Sequence, residues 1–321
     1  MPINRTTIVR GPCMVAWNSL QFWSKGDVKL SVPLKMFELM TSAYGKVGEA
    51  LADRLATVSL EPAGEITAAF KAALWPYASF AIGASIFGAT DLPLVIYALD
   101  GTSYTFAAAA LTKMPDLTQS AKKTAVGPLE FTCLGKDNTA WSAANSFFQV
   151  GALALPAIAF TPANVLYGPV SAAWGASPFD AFVCKDGFTT SFNMEIEPVD
   201  LDSDGTIDFW LKKLDVTTRA QPVTNITVPA ATVAITAAAA LARLPLAGAS
   251  GGLRGSLLAS ASDLVMTQTG GAAPIVLTTK KAVLKEVRLD YGAGVQRIGE
   301  MVWEATRDFT GAVANPIFAI A

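Results

Sequence analysis

The chain contains no histidine. With histidine go the Ser-His-Asp and Cys-His arrangements, the histidine general base and every histidine-ligated metal. Charge is scarce as well: 16% of the 321 residues are charged and the net charge is −2. No basic face is therefore expected to grip nucleic acid. The three cysteines, Cys13, Cys133 and Cys184, are far apart, odd in number and without C-x-x-C spacing. That speaks against a zinc cage and a full disulfide framework, and fits a reducing compartment. There is no glycine-rich phosphate loop, and no acidic pair stands in a cleft-like context. An enzyme is not expected, and neither is a cofactor or a catalytic residue. "MPINRTTIVRGP" has no apolar core and no cleavage pattern, so it does not read as a signal peptide. Long apolar runs are missing too. The uncharged stretch 220–242 is mostly alanine and contains Gln221, Pro222, Asn225 and Pro229. The stretch 138–179 is broken by Pro156, Pro162, Pro169 and Pro178. Neither is a clean run of about 20 strongly apolar residues, so no membrane span is expected.

What the chain does have is 52% hydrophobic residues in a pattern of period two. "DVKLSV" sets Val28, Leu30 and Val32 against Asp27, Lys29 and Ser31. "SFNMEIEP" sets Phe192, Met194 and Ile196 against Asn193, Glu195 and Glu197. "KEVRLDYG" sets Val287, Leu289 and Tyr291 against Glu286, Arg288 and Asp290. This period predicts antiparallel sheets with one buried face. Two stretches have helical spacing: "EITAAFKAALW", with Ile66, Phe70, Ala73 and Leu74 on one face, and the Ala-rich "AATVAITAAAALAR".

The chain also resembles itself. "VAWNSLQFWSKGD" from Val15 matches "AAWGASPFDAFVCKDG" from Ala172. "VSLEPAG" from Val58 is laid on "MEIEPVD" from Met194, with Glu61-Pro62 opposite Glu197-Pro198. "GASIFGATDLPLVIYALDG" ends at Gly101 as "GSLLASASDLVMTQTGG" ends at Gly271. From Gly101 the halves run on without a gap, Glu130 falling on Glu300. Asp137 to Asn145 and Asp308 to Asn315 both precede a Phe-containing pair. The reading is two tandem β-sandwich or β-barrel domains, 1–155 and 156–321, each with a flanking helix and mainly β. Both should share one topology.

Two stretches invite a function. In "DLDSDGTIDF" the residues Asp200, Asp202 and Asp204 alternate ahead of Gly205, as in a calcium loop. Strands rather than helices are expected on both sides, and Leu211 stands where the bidentate Glu would be, so a hairpin turn is the expected role. A stray calcium ion at the triplet stays open, and "LEPAGEI", taken as its counterpart in the first half, has no acidic triplet. The second stretch is "LKMFELMTSAYGKVGEALADRLATVSLEP". Two strand-like ends bracket a polar interior, Thr41 to Asp53, that reads as a long loop; a loop that long is usually functional or ordered by a partner, and a flexible surface hairpin is the alternative.

At these residues the chain resembles the major tail tube proteins of long-tailed, siphovirus-like bacteriophages. The likeness is carried by "GPCMVAWNSLQFWSKGDVKL", "TSAYGKVGEALADRLATVSLEPAGE", "LWPYASFAIGASIFG" and "FNMEIEPVDLDSDGTIDFWL". It implies a structural virion protein that self-assembles into stacked rings, a tube through which DNA is ejected. It also implies a stacking arm between rings, carried here by Thr41, Ser42, Tyr44, Gly45, Lys46, Val47, Glu49 and Asp53. The implied partners are further copies of the chain, the tape measure protein and phage DNA in the lumen, and tail terminator and distal tail proteins at the ends. Assembly would take place in the host bacterial cytoplasm, and the finished location would be the virion. Members of that family commonly carry one tube domain and form hexameric rings. A two-domain chain would close the same channel as a homotrimer, with approximate sixfold symmetry. A second long arm is not evident in the sequence. A calcium-dependent adhesion or carbohydrate-binding β module is the reading from another class. A tail terminator or capsid protein is the other virion reading.

Overall fold

A computed structural model describes residues 13–78, 86, 92–121, 124–134, 147–158, 161–199, 208–223, 235–244, 261–292, 295–306 and 316–321. The described chain is mainly β, with two short helices. The hydrophobic alternation explains this: β6 (Ala56–Leu60) is buried at every second residue, and β18 (Ser262–Gly270) at Leu264, Met266 and Gln268.

The first half forms two packed sheets. One has the order β14 (Phe148–Gly151), β9 (Ser103–Phe106), β8 (Leu94–Tyr97), β1 (Met14–Trp17), β2 (Leu20–Ser24), β7 (Pro62–Ala63). The other has the order β10 (Ala108–Lys113), β13 (Leu129–Leu134), β6, β3 (Lys29–Ser31). Trp17 joins them: its indole N–H donates to the Ala109 carbonyl at 3.0 Å and its ring lies 4.9 Å from that of Phe131. The helix α1 (Ala68–Leu74) follows β7. Thr67 caps it, the hydroxyl accepting from the Phe70 amide, and Phe70 meets the Phe22 ring edge-on. Between β3 and β6 the chain leaves as a two-stranded ribbon, β4 (Leu34–Thr41) and β5 (Gly45–Arg54).

The second half contributes β15 (Tyr167–Trp174), β16 (Cys184–Val199), β17 (Asp208–Pro222), α2 (Ala237–Ala242), β18, β19 (Ile275–Gly292), β20 (Val295–Glu304) and β21 (Phe318–Ile320). Its strands run in the order β16-β17-β20-β19-β18-β15, with β21 on β19, in a nearly closed barrel. Two strands from before residue 155 extend this sheet: β11 (Leu117–Gln119) pairs with β16, and β12 (Thr124–Val126) pairs with β11. The aromatic core runs on from one half to the other, through Trp75, Phe192 and Phe318.

The strand pairings recur. In the first half β1 pairs with β8, β8 with β9, β9 with β14, β10 with β13, β13 with β6 and β6 with β3. In the second half β15 pairs with β18, β18 with β19, β19 with β21 and with β20, β20 with β17 and β17 with β16. Details agree as well. Trp174 donates to the Ala282 carbonyl at 3.0 Å, as Trp17 does to Ala109. The register slips between Leu111 and Lys113 in one hairpin and between Leu284 and Glu286 in the other. Thr236 caps α2 as Thr67 caps α1.

This geometry corrects three alignments read from the sequence. Val58 pairs with Phe131 and Thr218 with Trp303, so Val58 answers to Thr218 rather than Met194, and Pro62 answers to Pro222. Short motifs mislead here because Glu61-Pro62 follows β6, the returning strand of its hairpin, whereas Glu197-Pro198 lies in β16, the outgoing strand of the equivalent one. The halves also do not run gap-free after Gly101. The turn between the paired residues Ala98 and Thr102 is shorter than the one between Gln268 and Ile275. Glu130, opposite Lys113, therefore answers to Val302, opposite Glu286. Third, a long second arm does exist. From Leu30 to its partner Val58, and from Thr190 to its partner Thr218, the chain takes the same 28 steps. The counterpart of the β4–β5 ribbon is the far part of β16–β17, and the Asp triplet falls opposite the ribbon's tip rather than opposite "LEPAGEI". Asp200, Asp202 and Asp204 themselves, with the segments Asp137 to Asn145 and Asp308 to Asn315, lie outside the described residues.

Candidate assembly surfaces

The stretch from Thr41 to Asp53 is not an irregular loop. Thr41 closes β4 opposite Gly45, only 42–44 form the turn, and the rest is β5. The sequence hid this because Lys46, Glu49 and Asp53 interrupt the alternation. The turn has local causes: the Thr41 hydroxyl accepts from the Tyr44 amide at 3.2 Å, and Gly45 takes φ +70°, a backbone angle suited to glycine. Lys46 faces Met40 in the register, Glu49 faces Glu38, and Asp53 faces Lys35. The Lys46 ammonium bonds Glu38 at 2.8 Å and also bonds Glu49; the Glu38 bond, then the Glu49 bond, hold its pKa above the ordinary lysine value.

The ribbon's surroundings make it a candidate for binding. Its two strands pair only with each other among the described residues. Ten residues of β5 span roughly 30 Å. An isolated two-stranded ribbon is marginal in water. Yet this one exposes Leu39, Met40, Tyr44 and Val47, with Tyr44 85% and Met40 64% exposed. Apolar side chains exposed around the tip of such a ribbon are what a partner would cover.

A second surface is the seam where β11 meets β16. Leu117 faces Thr190, Thr118 faces Thr189 and Gln119 faces Phe188. Leu117, Gln119, Phe188 and Thr190 are all buried. The Thr118 and Thr189 hydroxyls meet at 3.3 Å, and the Gln119 amide donates to the Ile275 carbonyl at 3.3 Å. Gly187 admits the approach: a Cβ there would lie 1.8 Å from the Gln119 carbonyl oxygen, and its φ is +85°. A further tie between the halves is Glu65, which accepts from the Asn164 side chain at 2.7 Å and from the Thr161 amide. Those two bonds, the Asn164 one first, lower its pKa.

The sequence reading missed this seam. Its signal, a Gly-Phe pair after a Lys-Asp turn facing a short Thr-rich strand, has no period long enough to find. Among the described residues no cluster of three or more His, Cys, Asp or Glu is placed to hold a metal ion. No helix among them is long and apolar enough to cross a membrane. The chain matches no protein-family model, and no curated protein sequence matches it.

Proposed function

We propose that this protein is a structural subunit that assembles with further copies of itself into stacked rings, forming the tail tube of a long-tailed bacteriophage. The observation that carries the reading is the recurrence of one pairing pattern in two halves that are joined by strand addition. A chain built this way contains two subunit-like units, 1–155 and 156–321 apart from the β11–β12 hairpin, already docked side by side. The exposed β4–β5 ribbon supports the reading by offering a contact of a different kind, along the stack rather than around the ring. In the resembled family six such units close one channel, so three chains supply them and give threefold symmetry that is nearly sixfold. DNA and the tape measure protein would occupy the lumen. The near-neutral, slightly acidic composition suits passage, because a wall without a basic face does not hold phosphate.

The test is electron microscopy of the purified full-length chain at several concentrations. Tubes built from stacked rings are expected. Ribbon variants lacking 41–53 should stop at single rings or monomers. A protein that stays monomeric under all assembly conditions would overturn the proposal, and long tubes from the shortened variant would overturn the ribbon's role.

A further inference from the structure

The ribbon and the linker between the halves lie at opposite ends of the first sandwich. The pairing of β3 with β6 runs from Lys29 opposite Ser59 to Ser31 opposite Thr57, and the ribbon continues from there with Leu34 opposite Arg54. Cross-strand partners carry that end through both sheets. Ala56 faces Cys133 and Cys133 faces Ala109, whose carbonyl takes the Trp17 indole N–H. Trp17 faces Leu94, Leu94 faces Phe106 and Phe106 faces Phe148. From Phe148 the strand β14 runs the other way, to Gly151 opposite Ser103. The linker therefore leaves the sheet at the end away from the ribbon.

There the linker forms a strap. The Leu153 amide donates to the Ser103 hydroxyl at 3.2 Å, and by Ile158 the chain has reached β2 and α1, where it lines a cavity with Phe22, Trp23 and Phe70. Every residue from Val150 to Leu155 is exposed, Val150 by 62%, Leu153 by 48% and Leu155 by 43%. No charged residue occurs from 138 to 179. A run of exposed apolar side chains without a charge among them marks a surface that a partner covers.

We infer that the strap 150–158 is the receiving surface for the β4–β5 ribbon of a second copy, with Met40, Tyr44 and Val47 of the ribbon tip laid on Val150, Leu153 and Leu155 of the strap. Three observations select this occupant. The two surfaces sit at opposite ends of one sandwich, so stacking copies in the same orientation brings them together; because they differ, the contact repeats along a stack and does not close as a twofold dimer. The ribbon has the reach: β5 spans roughly 30 Å, whereas no described strand of the first sandwich exceeds six residues, about 20 Å. The charges allow it as well. Lys46 already bonds Glu38 and Glu49, so covering the tip leaves no lone ammonium, and the strap brings no charge of its own. The docking rests on the self-assembly proposed above and names the surface that accepts the ribbon, a segment that exists because two units are joined in one chain.

Photo-cross-linking from the ribbon tip separates the two claims. Tyr44, 85% exposed, is replaced by photoreactive benzoylphenylalanine in the full-length chain. Unlabelled and nitrogen-15-labelled chains are mixed, assembled, irradiated and digested, with a parallel micrograph, and mass spectrometry maps the links that join two chains. A link between chains from position 44 to 150–158 is expected. Tubes whose links fall on any other segment, or that give none, would overturn the docking and leave the self-assembly reading standing. The expected link in species that never form tubes would uphold the docking and sink the tube. Neither link nor assembly would overturn both. A second measurement uses Leu153→Asp combined with Leu155→Asp, whose exposed positions leave the melting temperature unchanged. Two carboxylates inside an apolar contact should raise the concentration needed for tubes by at least about tenfold while single rings persist. Tubes at the parent's concentration would overturn the strap's role.

Discussion

Trp17 and Trp174 each tie together two strands that do not pair with each other, through one indole N–H given to the carbonyls of Ala109 and Ala282 at 3.0 Å. Both side chains are buried. Trp17→Phe and Trp174→Phe should each cost about 1–3 kcal/mol, since a buried carbonyl loses its donor; urea unfolding of each single variant measures it. Lys71 makes a contrasting case. It is buried, its ammonium reaches the Pro274 carbonyl at 3.4 Å, and burial lowers its pKa. In the unfolded chain a lysine titrates near 10.4. Between the lowered value and that one, the unfolded state holds more protons than the folded one, so stability rises with pH. Lys71→Met should therefore be more stable than the parent at neutral pH, and its advantage should shrink as pH approaches the ordinary lysine range. Melting temperatures across that range decide it. A constant or growing advantage would contradict the burial argument.

At the scale of elements, the β11–β16 seam depends on the absence of a side chain at Gly187. Gly187→Ala combines a positive φ with a backbone clash and should cost at least about 2 kcal/mol. Its thermal unfolding should show that loss directly, while an alanine tolerated without loss would mean the seam is looser than described. The β4–β5 ribbon stands at the other extreme. With strand partners only within itself among the described residues, its amides should exchange quickly in the monomer and become protected in assembled tubes. Mass-spectrometric exchange over residues 34–54 in both states is the measurement, and equal exchange in both would remove the ribbon from the stacking contact. The helices were legible because Ile66, Phe70 and Leu74 carry a helical period, and α1 and α2 formed within the predicted stretches. The ribbon was legible as a long polar interval between strand-like ends, because Lys46, Glu49 and Asp53 break the alternation that would have marked the interval itself as strand.

For the whole molecule, the repeated pairing pattern sets the arithmetic of the assembly proposed above. If two units per chain close a six-unit ring, the smallest closed species has the mass of three chains. Native mass spectrometry or light scattering of single rings should find that species. A hexamer of full-length chains would require twelve units per ring and would rule out the threefold arrangement.

The period-two hydrophobic pattern was enough by itself to set the mainly β character, because alternate burial along a strand is a local property. The same held for the position of the helices and for the near-identity of "VAW" and "AAW", whose tryptophans do take equivalent places. Which residues correspond beyond those anchors was decided only in three dimensions. Glu61-Pro62 and Glu197-Pro198 look alike in sequence, yet cross-strand partners put Pro62 with Pro222, since register is fixed by pairing across a sheet and not by neighbours along the chain. The seam is tertiary for the same reason. Leu117–Gln119 pairs with strand residues about seventy positions away, and its partner edge exists only once β16 and β17 have joined.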